Sequence, residues 1–312
     1  MTDPELSVVI PSYNRSAIVA KCVRALCAQT CAATRYEILV SDDGSTDDTA
    51  AVVTALQHEQ PAHRIVYLHQ PNAGANRARN RAISAARGAL LLFINDDTIA
   101  VPQMLAVHLA AHAEQPDDRV AVLGRMTVSP ELPPSRLAPL HLDRAFVHLR
   151  EGQMLDWRGF FTCNVSVKSS LLERGGLFEE RMRYHEDLEL AWRLSAQGLR
   201  VWYQPQALGF HDHYLAETEF FAIAEREARS LATWAQLAPQ ARPLLAGLGY
   251  EPAVTLSKRL RHHVFDAMLN PLLRPLWLAL ARHGPGRLSL ALYDQLYLTR
   301  KRAALRLACR EH

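Results

Sequence analysis

The residues best suited to chemistry stand just after short apolar runs. Leu90 to Ile94 (LLLFI) leads straight into Asn95, Asp96 and Asp97. Five apolar residues ending in acids read as a buried parallel strand. Acids beyond the carboxyl end of such a strand stand where open α/β sheets bind ligands. Two of them can hold a divalent cation, and the cation can hold a diphosphate. The competing reading is a strand followed by a helix cap, with Asp97 or Thr98 as the cap. Two further loops leave strands in the same manner. The loop PSYNR, after Leu6–Ile10, offers Tyr13, an aromatic able to stack on a base. The loop SDDGSTDD, after Tyr36–Val40, offers Asp42 and Asp43 as acceptors for a base N–H or a ribose hydroxyl. Both are also turn formers. Arg79 and Asn80 add a cation and an amide on the helix entered from Asn72–Gly74. Arg79 has the alternative of pairing with an acid on the helix surface. The set suits a nucleoside diphosphate. The chain has neither G-x-G-x-x-G nor G-x-x-x-x-G-K-[ST], which argues against a dinucleotide cofactor and a P-loop. A metal must then supply the missing positive charge.

These loops need a scaffold, and the first hundred residues provide one. Strand patterns at Leu6–Ile10, Tyr36–Val40, Arg64–Leu68 and Leu90–Ile94 alternate with helical spacing at Ala17–Gln29, Thr49–Glu59 and Ala75–Arg87. That βαβαβαβ order predicts an α/β protein with a mostly parallel nucleotide-binding sheet flanked by helices. A helix at Pro102–His112, a strand at Val120–Val128, a proline-rich loop from Pro130 to Pro139 and a strand-like Gly159–Lys168 follow. Glu186–Gln197 reads as a helix, and Leu199–Tyr203 as a final strand ended by Pro205. From Glu217 onward the pattern is helical with breaks at Pro239, Gly247–Pro252, Pro271–Pro275 and Gly284–Gly286.

The chain has 312 residues, 49% of them hydrophobic, and a net charge of +3, enough for one large domain plus an appendage. The charge is uneven. Residues 251–312 hold eleven Lys/Arg against four Asp/Glu, a net +7, which leaves −4 for the rest. A near-neutral bulk argues against a dedicated nucleic-acid binder. The amphipathic tail has three options: packing on the main domain, a homodimer, or an anionic membrane surface. Five cysteines without a C-x-x-C pair argue against zinc and fit a reducing compartment. The first ten residues run directly into a strand rather than a secretory leader, and no apolar run approaches the roughly 18 residues of a membrane span. A cytoplasmic protein is expected, with peripheral contact at the inner face of a membrane as the variant the basic tail would allow.

VVIPSYNR (8–15), EILVSDDGSTDDT (37–49), NAGANRARNRAI (72–83) and FINDDT (93–98) together resemble the nucleotide-sugar domain of family 2 glycosyltransferases, inverting enzymes of the GT-A fold. TCNVSVKSSLLERGGLFEE (162–180) is similar to their acceptor-side strand and helix, YHEDLELAWRL (184–194) to their Glu-Asp helix, and GFHDH (209–213) to their late histidine. The resemblance implies a GT-A catalytic domain over 1–215, divided into a nucleotide-sugar half (1–128) and an acceptor half (129–215). A helical C-terminal extension over 216–312 would follow.

The resemblance also implies roles. Tyr13 and the Pro11 backbone would lie against the base, Asp43 and Asp42 would bond base or ribose, and Arg79 would sit near base or phosphate. Asp96 would contact ribose or sugar. Asp97 would bind Mn²⁺ or Mg²⁺ with His211, and His213 competes for that place. Asp187 would be the general base. At a helix start its charged form is expected to be favoured by the dipole, which lowers its pKa and delays proton transfer. Trp157, Asn164 and Glu186 are expected on the acceptor side, and Trp192 in the core. The expected activity is transfer of a sugar from a nucleotide-diphosphate sugar to the hydroxyl of a glycan, lipid-linked or small-molecule acceptor, as in building cell-envelope polysaccharide. Acceptor choice is placed in residues 129–160. The alternatives are an inactive nucleotide-sugar- or partner-binding module of the same fold, and a sugar nucleotidyltransferase, whose Gly-rich basic loop PSYNR does not resemble.

Overall fold

The computed structural model of the protein describes residues 3–250, 255–268, 270 and 272–310. In chain order the first elements are β1 (Leu6–Ser12), α1 (Ser16–Cys27), β2 (Tyr36–Asp42), α2 (Thr49–Glu59), β3 (Arg64–His69), α3 (Ala75–Ala85) and β4 (Leu90–Ile94). Then come β5 (Thr98–Ala100), α4 (Met104–Glu114), β6 (Val120–Val128), α5 (Ala138–His141), β7 (Met154–Leu155), β8 (Asn164–Lys168), α6 (Ser169–Gly175), α7 (Glu186–Ser195) and β9 (Arg200–His211). The remainder is α8 (Glu217–Leu237), α9 (Arg242–Leu245), α10 (Leu256–Met268), α11 (Arg274–His283) and α12 (Gly286–Ala308).

The chain forms two compact units, one of residues 1–133, 142–180 and 186–213, the other of 134–141, 181–185 and 214–312. The first holds the sheet, in the order β3-β2-β1-β4-β8-β6-β9-β5, with β7 on β9. Strands β3, β2, β1 and β4 are parallel, as the βα alternation predicts. Beyond β4 the sheet is mixed: β8 is antiparallel to both β4 and β6, β6 and β9 are parallel, and β5 is antiparallel to β9.

Successive residues of the central strands face opposite cores. Val8, Ile10, Ile38, Val40, Leu92 and Ile94 pack with Val19, Val23 and Leu26 of α1 and Val53 of α2. Val9, Leu39, Leu91 and Phe93 pack with Ala82 of α3, Leu171 of α6 and Leu190 and Leu194 of α7. Both faces being dry is why these strands read as continuous apolar runs rather than alternating ones. Each fully buried aliphatic side chain contributes about 1.5–3 kcal/mol, so the rims are anchored from both sides.

Several strand boundaries differ from the sequence pattern, β2 running on to Asp42 and β3 to His69. Strand β1 runs through Pro11, which pairs opposite Ser41. Strand β9 does not stop at Pro205 but continues to His211. The register jumps from Gly124↔Gln204 to Arg125↔Leu208, so residues 205–207 bulge out of the ladder. A proline costs nothing in a bulge, where no ladder N–H is required. Within Gly159–Lys168 only Asn164–Lys168 is a strand, and Trp157–Gly159 is a short 3₁₀ turn.

The second unit is helical. Phe220, Phe221 and Ile223 of α8 pack with Tyr293 and Leu296 of α12 and Ala281 of α11. No helix among the described residues is long and apolar enough to cross a membrane.

A polar network lies beneath the sheet. His108 on α4 contacts Ser166 Oγ at 2.8 Å through Nδ1 and Asn164 Oδ1 at 2.9 Å through Nε2, and His112 Nε2 reaches the same Ser166 Oγ at 2.9 Å. Burial lowers the pKa of His108 to about 4 and, with the Lys168 charge, that of His112 to about 3. Both imidazoles are therefore neutral when folded, whereas the unfolded chain takes up their protons below pH about 6.5. Their contribution is present above that pH and is lost as the pH falls toward the folded values. His112→Gln is expected to unfold at lower urea than the wild type at pH 7.5, with the gap narrowing by about 2 kcal/mol at pH 5. The difference between the two proteins cancels the carboxylates that titrate in the same range. A gap independent of pH would show that His112 is not held neutral.

Candidate active site

The loops after β1, β2 and β4 leave the same edge of the sheet because the three strands are parallel neighbours. The first two are laced together. Asn14 adopts a left-handed backbone (φ 52°), which asparagine tolerates better than most residues. Its Oδ1 accepts from the Thr46 N–H at 2.7 Å, and its own N–H donates to Ser45 Oγ at 2.8 Å. Asp47 Oδ2 accepts from the Ser16 N–H at 2.9 Å. Between these ties Tyr13 stands 45% exposed on the loop, leaving ring surface open for stacking, while Pro11 is buried.

The acids at the end of β4 are nearly closed off: Asp96 and Asp97 are each 4% exposed. Asp96 accepts from Ser12 Oγ at 2.8 Å and from Arg15 Nη1 at 2.8 Å. The same Arg15 nitrogen lies 3.1 Å from Asp97 Oδ2. Asp97 Oδ1 is buried and has no hydrogen-bond partner. Burial and the neighbouring Asp97 charge raise the Asp96 pKa to about 6 against the pull of Arg15.

The histidine arrives by strand pairing. Strand β5 follows the acids directly and runs antiparallel to the end of β9, with Thr98 opposite His211. His211 Nε2 is thereby 3.5 Å from Asp97 Oδ2. The Asp212 N–H donates to the Asp97 carbonyl at 2.8 Å, and the Asp212 carboxylate pairs with Lys21 at 2.9 Å. The ring of His213 lies 6.0 Å from that of His211.

Asp187 reaches the same rim through β8. Ile94 pairs with Asn164, so Cys163 and Thr162 lie beside the start of the Asn95–Asp97 turn. Asp187, on the first turn of α7, accepts from the Thr162 N–H at 3.4 Å and from the Leu188 N–H at 2.8 Å. The Cys163 thiol, pushed up to about 12 by burial, also feels the negative charges of both Asp187 and Asp97. One side chain therefore lies within electrostatic reach of both acids, which are ninety residues apart in sequence.

The expected low pKa of Asp187 is overturned. Burial, then the Glu186 charge, raise it well above the ordinary carboxylate range, against the pull of the Leu188 N–H and Arg79. A helix terminus is worth about 0.3–1 kcal/mol, under one pKa unit, and desolvation of this half-buried carboxylate outweighs it. A carboxylate so raised is a stronger base than one in water, which suits proton abstraction near neutral pH.

Several expected ligands are committed elsewhere. Asp42 accepts from Tyr67 Oη at 2.5 Å and from the Ser45 N–H at 2.9 Å. Asp43 holds the turn before α3, accepting from Gln70 Nε2, the Ala73 N–H and the Gly74 N–H at 2.7–2.9 Å; a carboxylate has about four acceptor sites, so one is left for a ligand. Arg79 Nη1 binds Glu186 at 2.8 Å and Asn76 at 2.9 Å, while its buried Nε has no hydrogen-bond partner. Asn80 bonds the backbone of Phe178 in both directions, at 2.9 and 3.0 Å. The polar face of α3 thus anchors the segment leading toward α7, and Glu186 Oε1 is the partner of Arg79. Asn164 is fully buried. Its Oδ1 faces His108, and its Nδ2 donates to the Ala207 carbonyl at 2.7 Å and the Arg125 carbonyl at 3.2 Å, which leaves nothing for an acceptor. Trp157 is half-buried with the Arg158 guanidinium 4.6 Å from its ring centroid, so one ring face is already covered. Ser12 and Arg15, the inner contacts of the acidic pair, were not singled out by the sequence reading; their only signal was membership of the loop leaving β1.

The profile of Glycosyl transferase family 2 matches residues 7–172, more than half the chain. The chain belongs to glycosyl transferase family 2. The matched stretch runs from β1 into α6 and includes the acidic pair but not Asp187 or His211. Validoxylamine A glucosyltransferase of Streptomyces hygroscopicus subsp. jinggangensis is 34% identical over 228 residues, which cover 63% of this chain and 52% of that protein; the chain spans about half the length of this relative. Among solved structures, the mannosyltransferase PcManGT from Pyrobaculum calidifontis in complex with GDP-Man and Mn²⁺ superposes with a TM-score of 0.67 at 20% identity, covering 97% of this chain and 87% of that one. S. aureus TarS 1-349 in complex with UDP gives 0.56 at 17% identity, covering 98% and 90%. Likeness at this level of identity establishes the fold, which is GT-A.

The raised Asp187 pKa has a consequence for stability. A group whose folded pKa exceeds its unfolded value stabilises at low pH and loses that contribution as the pH rises through the folded value. At pH 8 this half-buried, ionised carboxylate is a cost that an amide does not carry. Asp187→Asn is expected to melt about 2 °C or more above the wild type at pH 8, with the advantage shrinking at pH 5. An Asn variant less stable at pH 8 than at pH 5, relative to wild type, would contradict the desolvated carboxylate.

Proposed function

We propose that the chain is an inverting, metal-dependent glycosyltransferase that moves a sugar from a nucleoside-diphosphate sugar to an acceptor hydroxyl. Residues 1–215 would act as the catalytic domain and 216–312 as its helical extension. The observation that carries this reading is the pairing of β5 with β9 and of β4 with β8. It brings His211 against Asp97 and attaches Asp187 to the same rim.

The residues fit a divalent cation. Asp97 has a buried oxygen without a partner, and an imidazole nitrogen lies beside its other oxygen. Among the described residues no group of three or more His, Cys, Asp or Glu side chains surrounds a common point. Carboxylate, imidazole and phosphate oxygens suit Mn²⁺ or Mg²⁺, which commonly completes its shell with substrate phosphates and water. Asp97 and His211 would hold the ion, and the donor diphosphate would supply the rest. When bound, the metal offsets the charge that develops on the departing diphosphate.

Asp187 would take the proton of the acceptor hydroxyl as that oxygen attacks the anomeric carbon. One base suffices, because a single in-line displacement forms no glycosyl-enzyme and inverts the centre. The exposed ring of Tyr13 offers a stacking face for the base. The remaining acceptor site on Asp43 is available to a base or ribose donor. Arg79 and Glu186 fix α3 to α7 and so hold Asp187 at its distance from the acids of β4. PcManGT was solved with GDP-Man and Mn²⁺ and TarS with UDP, which supports a nucleotide-sugar donor here without choosing its base.

Asp187→Asn is expected to abolish transfer while nucleotide affinity changes less than about three-fold; near-full transfer by this variant would remove Asp187 as the base. Asp97→Ala is expected to weaken Mn²⁺-dependent nucleotide binding by about ten-fold or more, read by titration calorimetry with GDP and UDP. Unchanged curves would take Asp97 out of the metal site.

A further inference from the structure

Arg15 occupies a position that conflicts with the site it lines. Its Nη1 bridges both acids, 2.8 Å from Asp96 Oδ1 and 3.1 Å from Asp97 Oδ2. Asp97 Oδ2 is also the oxygen that faces His211. Two adjacent carboxylates, each almost wholly buried, need a cation nearby or one of them takes up a proton. In the protein alone that cation is Arg15. A divalent ion held by Asp97 and His211 would stand close to this guanidinium, and a +2 and a +1 charge so near each other in a buried place repel strongly.

Arg15 has somewhere to go. Its side chain is 32% exposed against 5–6% for the two acids, so it can leave without unpacking a core. It stands at the start of α1, on the loop whose Tyr13 is exposed. A divalent ion neutralises the two carboxylates and leaves the diphosphate that accompanies it with unmatched charge. A planar guanidinium is well suited to pair with phosphate oxygens.

We propose that Arg15 is an exchangeable counter-ion: it holds the Asp96–Asp97 pair before the donor arrives, and the metal displaces it onto the diphosphate. The inference rests on the metal-dependent reading above and goes beyond it. Arg15 opposes the metal alone and favours the metal together with nucleotide, so it couples the two binding events. Any coupling of this kind is reciprocal between the ligands.

The test is a pair of titrations whose signs differ. Mn²⁺ alone is titrated into wild type, Arg15→Gln and Arg15→Lys by electron paramagnetic resonance of free Mn²⁺. GDP and UDP are then titrated at saturating Mn²⁺. Arg15→Gln is expected to bind Mn²⁺ alone about five-fold or more tightly than wild type, and to bind the preferred nucleotide about ten-fold more weakly. Thermal unfolding gives a second reading. In EDTA Arg15→Gln is expected to melt below wild type, and Mn²⁺ is expected to raise its melting temperature by more than that of wild type. An ion pair that merely stabilises the fold would lower the melting point without this larger rescue. Arg15→Lys, which keeps the charge but not the fork, is expected to fall between the two and serves if the Gln variant does not fold. Equal Mn²⁺ affinity in wild type and variants, or unchanged nucleotide affinity, overturns the exchange while leaving the metal site standing. No Mn²⁺ binding by any of the proteins, with either nucleotide, removes the metal-dependent reading and this inference with it.

Discussion

The site depends on one constraint, the register in which two antiparallel strands return to the end of the parallel half of the sheet. Strand β8 lays Asn164 beside Ile94, and β9 lays His211 beside Thr98. Side chains alternate faces along a strand, so a slip of one residue in the β5–β9 pairing would turn the His211 imidazole to the other face. The register is pinned from below. Asn164, fully buried, ties the start of β8 to the carbonyls of Ala207 and Arg125 and to His108. A side chain expected to meet the acceptor instead fixes the ladder that positions the acids.

Charge is the second constraint. Four acids stand at this rim, Asp96 and Asp97 buried and Glu186 and Asp187 half-buried, and three devices meet them. Asp96 and Asp97 share the guanidinium of Arg15. Glu186 has its own arginine, Arg79, whose side chain is 6% exposed. Asp187 accepts from the Leu188 and Thr162 amides, and burial with the Glu186 charge raises its pKa. Burial raises the pKa of Asp96 as well, even with Arg15 beside it, so desolvation rather than pairing sets the sign at both Asp96 and Asp187.

The helical unit follows a different logic. Its core is aromatic, with Phe220, Phe221 and Tyr293 meeting edge to face or tilted. The Tyr293 hydroxyl donates to Glu217 at 2.8 Å, and burial with that carboxylate raises its pKa to about 12. A hydroxyl that stays protonated there remains a donor across the working pH range, so the contact between α8 and α12 does not depend on titration.

The alternation of helix and strand, the carboxyl-end placement of three loops and the acidic pair after β4 were legible in the sequence because they are local. A run such as LLLFINDD states its burial and its terminus within eight residues. The order of motifs also carried the family. What no local pattern contains is pairing between distant segments. Whether Arg79 faces a phosphate or Glu186, whether Asn164 faces an acceptor or His108, and whether β9 ends at Pro205 or bulges past it are decided by residues tens to more than a hundred positions away. The same holds for Asp187: its place at a helix start suggested a lowered pKa, and desolvation by the assembled cleft reversed the sign. Composition and periodicity determined which residues could do chemistry. Burial and strand register, which exist only after the chain has closed on itself, decided which of them are free to do it.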